Sequence, residues 1–173
     1  MRTRILGIDP GSRITGYGVI DIEGNHAKHV TNGCIRVKGE TLAEKLHQIF
    51  REIDAIITEY QPEEASIEKV FMHKNADSAL KLGQARGTAI AACATRKLEV
   101  FEYTANQVKQ ATVGKGHAKK EQVQHMVKIL LCLQEDLQED AADALAIALC
   151  HGHSRDILMR IEGVRGVKGG RLV

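Results

Sequence analysis

The chain has 173 residues, enough for one well-filled core and short for two. An apolar content of 43% with 27% charged residues is that of a soluble globular protein, and no apolar run nears the roughly 18 residues of a membrane span. The net charge of +2 is too small to announce a nucleic-acid partner by itself.

In chain order, TRILGID (3–9) and ITGYGVIDI (14–22) read as strands, with Pro10, Gly11 and Ser12 as the turn between them. HVTNGCIRV (29–37) reads as a third strand, completing an antiparallel meander. Over 41–60, Leu42, Leu46, Ile49, Ile53, Ile56 and Ile57 recur at helical spacing, and Pro62 stops the helix. EEASIEKVF (63–71) is a fourth strand. Residues 76–96 form a helix of small residues, in which Gly83, Gly87 and the alanines are expected to let another element approach closely. LEVFEY (98–103) is a fifth strand. TANQVKQATV (104–113) is a short helix, with Thr104 and Gln107 at capping-box spacing. A lysine and glycine loop at 114–118 leads into a helix over 119–133. The last helix is expected from near Glu139 to about Cys150. The pattern predicts an α/β fold: a five-stranded mixed sheet with helices on both faces. Residues 1–158 read as a single domain, and the basic, glycine-rich tail 159–173 as flexible.

The balanced total charge conceals patches. Residues 109–120 hold four lysines and no acid, whereas 134–143 hold five acids and no base. The N-terminus lacks a signal-peptide core and cleavage site, so a cytoplasmic location with no membrane partner is expected. Cys34, Cys93, Cys132 and Cys150 form no C-x-x-C pair and read as reduced, mostly buried thiols.

Four acids stand out. Asp9 ends the first strand, Glu68 lies in the fourth, and Asp140 and Asp143 share one face of the last helix. That helix is otherwise largely apolar, so at least one of the pair faces the protein. Converging carboxylates repel unless a hard cation neutralises them, and Mg²⁺ or Mn²⁺ suits such ligands. Two such ions about 4 Å apart would support phosphodiester hydrolysis. The lysines of 109–120 would then hold phosphates. Each acid also has an ordinary account. Asp9 could be a turn residue, Glu68 could lie on a solvated edge, and Asp140 could be a first-turn acid favoured by the helix dipole.

GIDPGSRITGYGVI, IEKVFMHKNADSALKLGQARG, NQVKQATVGKGHAKKEQVQHMV and DAADALAIA together resemble the RuvC family of crossover-junction endodeoxyribonucleases, in order over about residues 4–152. The resemblance implies a ribonuclease H-like fold and a catalytic, metal-binding tetrad of Asp9, Glu68, Asp140 and Asp143. It implies Mg²⁺, with Mn²⁺ able to substitute, as two ions per site with DNA bound. The implied substrate is a four-way junction, cut by a homodimer at two symmetric points to leave ligatable 5′-phosphate and 3′-hydroxyl ends. It also implies cooperation with the RuvA–RuvB branch-migration machinery. Phe71 is a candidate for stacking on an unpaired base, against the alternative of a core phenylalanine. Lys109, Lys119 and Lys120 are candidate contacts near the scissile phosphate, and Arg13, Lys74, Lys81 and Arg86 candidate DNA-backbone contacts.

Three other readings stay open. One is a non-catalytic binder of branched DNA, and another a nuclease of the same fold acting on structured RNA. The third is an actin-like ATPase suggested by the first hairpin, for which the chain is short. CHGH (150–153) superficially resembles a soft-metal site, but two histidines two residues apart do not share a helix face. His47 and His125 read as ordinary helix residues.

Overall fold

The structure is a computed structural model describing residues 2–69, 75–160, 167–168 and 171–172, with side chains described through Arg155. One sheet holds five strands in the order β3-β2-β1-β4-β5. These are β1 (Arg2–Asp9), β2 (Ile14–Glu23), β3 (His26–Arg36), β4 (Glu64–Glu68) and β5 (Glu99–Tyr103). The first three pair antiparallel, as the meander predicts, while β4 joins β1 and β5 in parallel. Thr15 closes the β1–β2 turn, accepting from the Gly11 N–H at 3.3 Å and donating to its carbonyl at 3.0 Å.

β1 is central, and its alternating side chains divide the core in two. Leu6 and Ile8 pack with α1 (Leu42–Tyr60) and α2 (Ala76–Thr95) on one face. Ile5 packs on the other face with α3 (Ala105–Val113), α4 (Lys120–Leu130) and α5 (Glu139–Arg160). A strand sandwiched this way reads as a continuous apolar run, which is why Ile5–Ile8 shows no alternation. The same period of two puts Gly7 and Asp9 on the α5 face with Ile5.

Local signals set the helix ends. Thr41 and Glu44 form a capping box at the start of α1, and Gln61 ends it in a left-handed conformation just before Pro62. Thr104 and Gln107 make the expected capping box on α3. The third strand begins at His26, earlier than expected, and the fourth ends at Glu68.

Two expectations are corrected. The last helix continues past Cys150 to Arg160. Gly152 is not a stop: a β-carbon there would lie 2.7 Å from Ile22 Cδ1, so glycine lets the helix pass close over β2. Gly83 and Gly87 do not mediate close packing within the chain, since a β-carbon at either position meets no atom of the described residues within 4 Å. The close contact of α2 is made instead by its buried Ala85, Ala89 and Ala92. The domain boundary expected after residue 158 falls inside α5. Most of the tail lies outside the described residues, apart from β6 (Val167–Lys168) paired antiparallel with β7 (Arg171–Leu172).

Glycines on the sheet let α5 lie against it. A β-carbon on Gly7 would stand 2.1 Å from the Ala144 carbonyl oxygen, and one on Gly16 would stand 2.0 Å from that of Asp140. Gly7→Ala is therefore expected to destabilise the fold by about 1–3 kcal/mol, the range for overpacking a tight core. Urea denaturation with an unchanged m-value checks this.

Candidate active site

The acids meet because of strand register and helix pitch. Ile8 pairs with Ile67 in the parallel β1–β4 ladder, and Asp9 and Glu68 are the next residue on each strand. β4 turns Glu64, Ser66 and Glu68 toward α5 at a period of two. Glu64 reaches His151 at 2.8 Å and Arg155 at 2.9 Å. Ser66 Oγ lies 3.4 Å from the Ile147 carbonyl. One turn earlier on α5 comes Asp143, which lines one cleft with Glu68. Asp140, three residues before Asp143, sits above Gly16 of β2.

Electrostatics identifies the centre of the cluster. Burial first, then Asp143, Glu68 and Asp140, push the Asp9 carboxyl up to about 8, with Lys120 opposing. Burial also raises Asp143 above the usual carboxylate range, although Lys120 pulls it down. Lys120 Nζ lies 2.7 Å from Asp143 Oδ2 and is ion-paired with Glu139 as well. Burial disfavours that ammonium, but its two acidic partners outweigh burial and hold it above its ordinary value. Glu68 and Asp143 share their cleft of about 190 Å³ with Lys109, Lys120 and the apolar Val108 and Ile147.

The donor set suits a hard divalent cation: four carboxylates drawn from three elements, with no nitrogen or sulfur ligand among them. Among the described residues, no three His, Cys, Asp or Glu side chains are drawn onto one coordination point. Burial and the three neighbouring carboxylates all disfavour the ionised form of Asp9, the form that a bound cation would favour.

The other candidates fall in different places. Lys109 lines the cleft, half-buried, and Lys119 is exposed just before α4. Arg13 and Lys81 line a separate groove between α1 and α2, where Lys81 is paired with Asp77 at 2.6 Å. Arg86 donates to the Glu68 carbonyl at 3.0 Å and pairs with Glu102, so it braces the end of β4. Phe71 and Lys74 lie outside the described residues.

Sequence reasoning missed three groups. Glu139, four residues before Asp143, was visible only as one more acid in QEDLQED. Cys34 is half-buried beside the site, where burial raises its thiol and the Ala141 backbone hydrogen-bonds to it. His151 of CHGH is fully buried, bonded to the Tyr103 hydroxyl at 2.7 Å and to Glu64, and stacked on Phe101. It is a core residue, and His153 is exposed beside the Ala111 carbonyl.

A mixed sheet in this order, with acids at the ends of its central strands and on the helix crossing them, defines a ribonuclease H-like protein. The yeast mitochondrial Holliday junction resolvase Ydc2 shares that fold, with a TM-score of 0.61 at 11% identity over 91% of this chain and 86% of its own. The family model for crossover junction endodeoxyribonuclease RuvC matches residues 5–151, and the chain belongs to this family. It is 57% identical over 169 residues to the RuvC of Hahella chejuensis, covering 98% of each chain. To that of Tolumonas auensis it is 58% identical over 171 residues, covering 98% of this chain and 99% of the relative. The structure of T. thermophilus RuvC in complex with Holliday junction substrate matches with a TM-score of 0.85 at 32% identity, covering 90% of this chain and 96% of that one.

The raised Asp9 makes stability depend on pH. Between the ordinary carboxylate value of 3.8 and about 8, the unfolded chain is ionised at this position while the folded one holds its proton. Stability of the metal-free protein therefore falls as pH rises through that window. Asp9→Asn is expected to flatten the decline and to exceed the parent in stability at pH 9. Urea titrations in chelator at pH 5, 7 and 9 check this.

Proposed function

We propose that this protein resolves Holliday junctions by metal-dependent nicking of two strands of like polarity. The observation that carries the reading is the clustering of Asp9, Glu68, Asp140 and Asp143 with Lys109 and Lys120 beside them. Family membership supports the same activity. The four carboxylates would hold Mg²⁺ or Mn²⁺, as two ions when DNA is bound. Held there, such ions would supply an activated water and stabilisation of the departing 3′ oxygen.

The chain's own residues do the rest. Asp9 and Glu68 stand on rigid strand ends, so their positions vary little during the reaction. Asp140 and Asp143 come from one helix face and move together. Lys109 and Lys120 neutralise the phosphates flanking the scissile bond, and Lys119 extends that contact along the backbone. Arg86 acts on Glu68 through its strand end, and remains, with Arg13 and Lys81, a candidate DNA-backbone contact. Phe71, three residues after Glu68, is assigned to stacking on an unpaired base at the junction centre, and Lys74 to the backbone nearby.

A four-way junction has two-fold symmetry, and a C2 homodimer would present two equivalent clefts to it. The outward face of α2 suits that contact. Leu80 is 63% exposed beside Gly83 and Gly87, whose missing side chains would let a second copy approach. The RuvA–RuvB branch-migration complex is the expected partner on the junction, in the cytoplasm. Among the described residues no helix is long and apolar enough to cross a membrane.

Incubation with a synthetic mobile four-way junction, a linear duplex and a structured RNA tests the reading. Paired, ligatable nicks in the junction alone are expected in Mg²⁺, and none in chelator. Junction binding without cleavage would favour a non-catalytic binder, and cleavage of the RNA a different substrate. Asp9→Asn and Glu68→Gln are expected to keep junction binding and lose cleavage. Lys109→Ala should weaken binding or turnover without unfolding. Leu80→Glu is expected to convert dimer to monomer in analytical ultracentrifugation.

A further inference from the structure

We infer that Glu139 is a positioning residue: it retains Lys120 at the rim of the acidic cleft when Asp143 gives that lysine up to a metal ion. This rests on the metal-binding reading above. Glu139 and Asp143 are four residues apart on α5, so their carboxylates lie one turn apart on the same side. Lys120, the first residue of α4, is ion-paired with both. Neither acid makes another ion pair among the described residues. The two partners differ in depth, since the Asp143 side chain is 25% exposed and that of Glu139 64%.

The ammonium bridges the two acids from one position. On the inner acid it neutralises Asp143, standing in with a single charge where the carboxylate cluster calls for a divalent ion. A metal can claim Asp143 only when Lys120 withdraws. Without Glu139 the released ammonium would go to solvent, and Asp143 would be its one anionic partner when it returned. With Glu139 the ammonium can release Asp143 and keep an ion pair that it already makes. It keeps a partner and remains beside the cleft, where a phosphate would lie. Glu139 therefore weakens the grip of Lys120 on Asp143 while keeping the lysine close.

A plain field effect is the competing explanation, because any nearby acid attracts a cation. The two separate through Lys120. Mn²⁺ binding to the DNA-free protein is measured by electron paramagnetic resonance, for the parent, Glu139→Gln, Lys120→Met and the double variant. Glu139→Gln is expected to weaken Mn²⁺ binding about two- to fivefold, the scale of one partly exposed ion pair. In the Lys120→Met background the same change is expected to have no effect. An equal weakening in both backgrounds would overturn the inference in favour of a field effect, and no weakening in the parent background would overturn it outright. Asp9→Asn guards the premise. If it binds Mn²⁺ as the parent does, the metal-site reading itself fails, and this inference with it.

Discussion

Everything at the site depends on how closely α5 lies against the sheet. Aspartate has a short side chain, so Asp140 and Asp143 can join strand-end carboxylates only if their helix backbone nearly touches the strands. Gly7 and Gly16 leave that room, and the Ala144 and Asp140 carbonyl oxygens occupy it. Gly18 does the same beneath Leu145. A β-carbon at any of these positions would lift the helix and separate the acids. The alanines of α5 answer the glycines from the helix side, and the fully buried Ala144 and Ala148 leave no bulk at the contact.

The second constraint is electrostatic. Folding brings four carboxylates together against their mutual repulsion and against burial, and Asp9 bears most of it. The protein tolerates this by letting one acid keep its proton near neutrality and by placing the Lys120 ammonium on another. Both are partial remedies. A cluster compensated only in part has a standing affinity for positive charge, which is the property that the proposed chemistry uses.

Much of this was legible in the sequence. Strand and helix periods, the cap at Thr104 and the stop at Pro62 are local signals, and they survive folding unchanged. The four acids stood out because each interrupts an apolar element, where a charge needs a reason. What the sequence hid was non-local. Gly152 resembles a helix terminator in the one-dimensional pattern, and only its contact with Ile22 reveals it as a crossing point. Gly83 and Gly87 present the reverse case, being small residues that face outward. CHGH resembles a soft-metal pattern that its spacing argues against, and neither feature reveals the burial of His151. Its hydrogen bonds to Tyr103 and Glu64, each more than forty residues away, make burial tolerable. Glu139 was concealed by its neighbours, since one acid in an acidic run carries little information until a lysine from another helix is found on it.

The Glu64 contacts with His151 and Arg155 have one more consequence. They tie β4 to α5 at the end of the strand remote from Glu68, with Ser66 and Ile147 as an intermediate rung. Strand and helix thus behave as two rulers clamped at one end, their zero marks aligned by a histidine. The offset between the acids at the other end is then a property of that clamp. A family member could change the residues around its cleft and preserve the alignment. A change at His151 would shift the two scales against each other without touching a single acid.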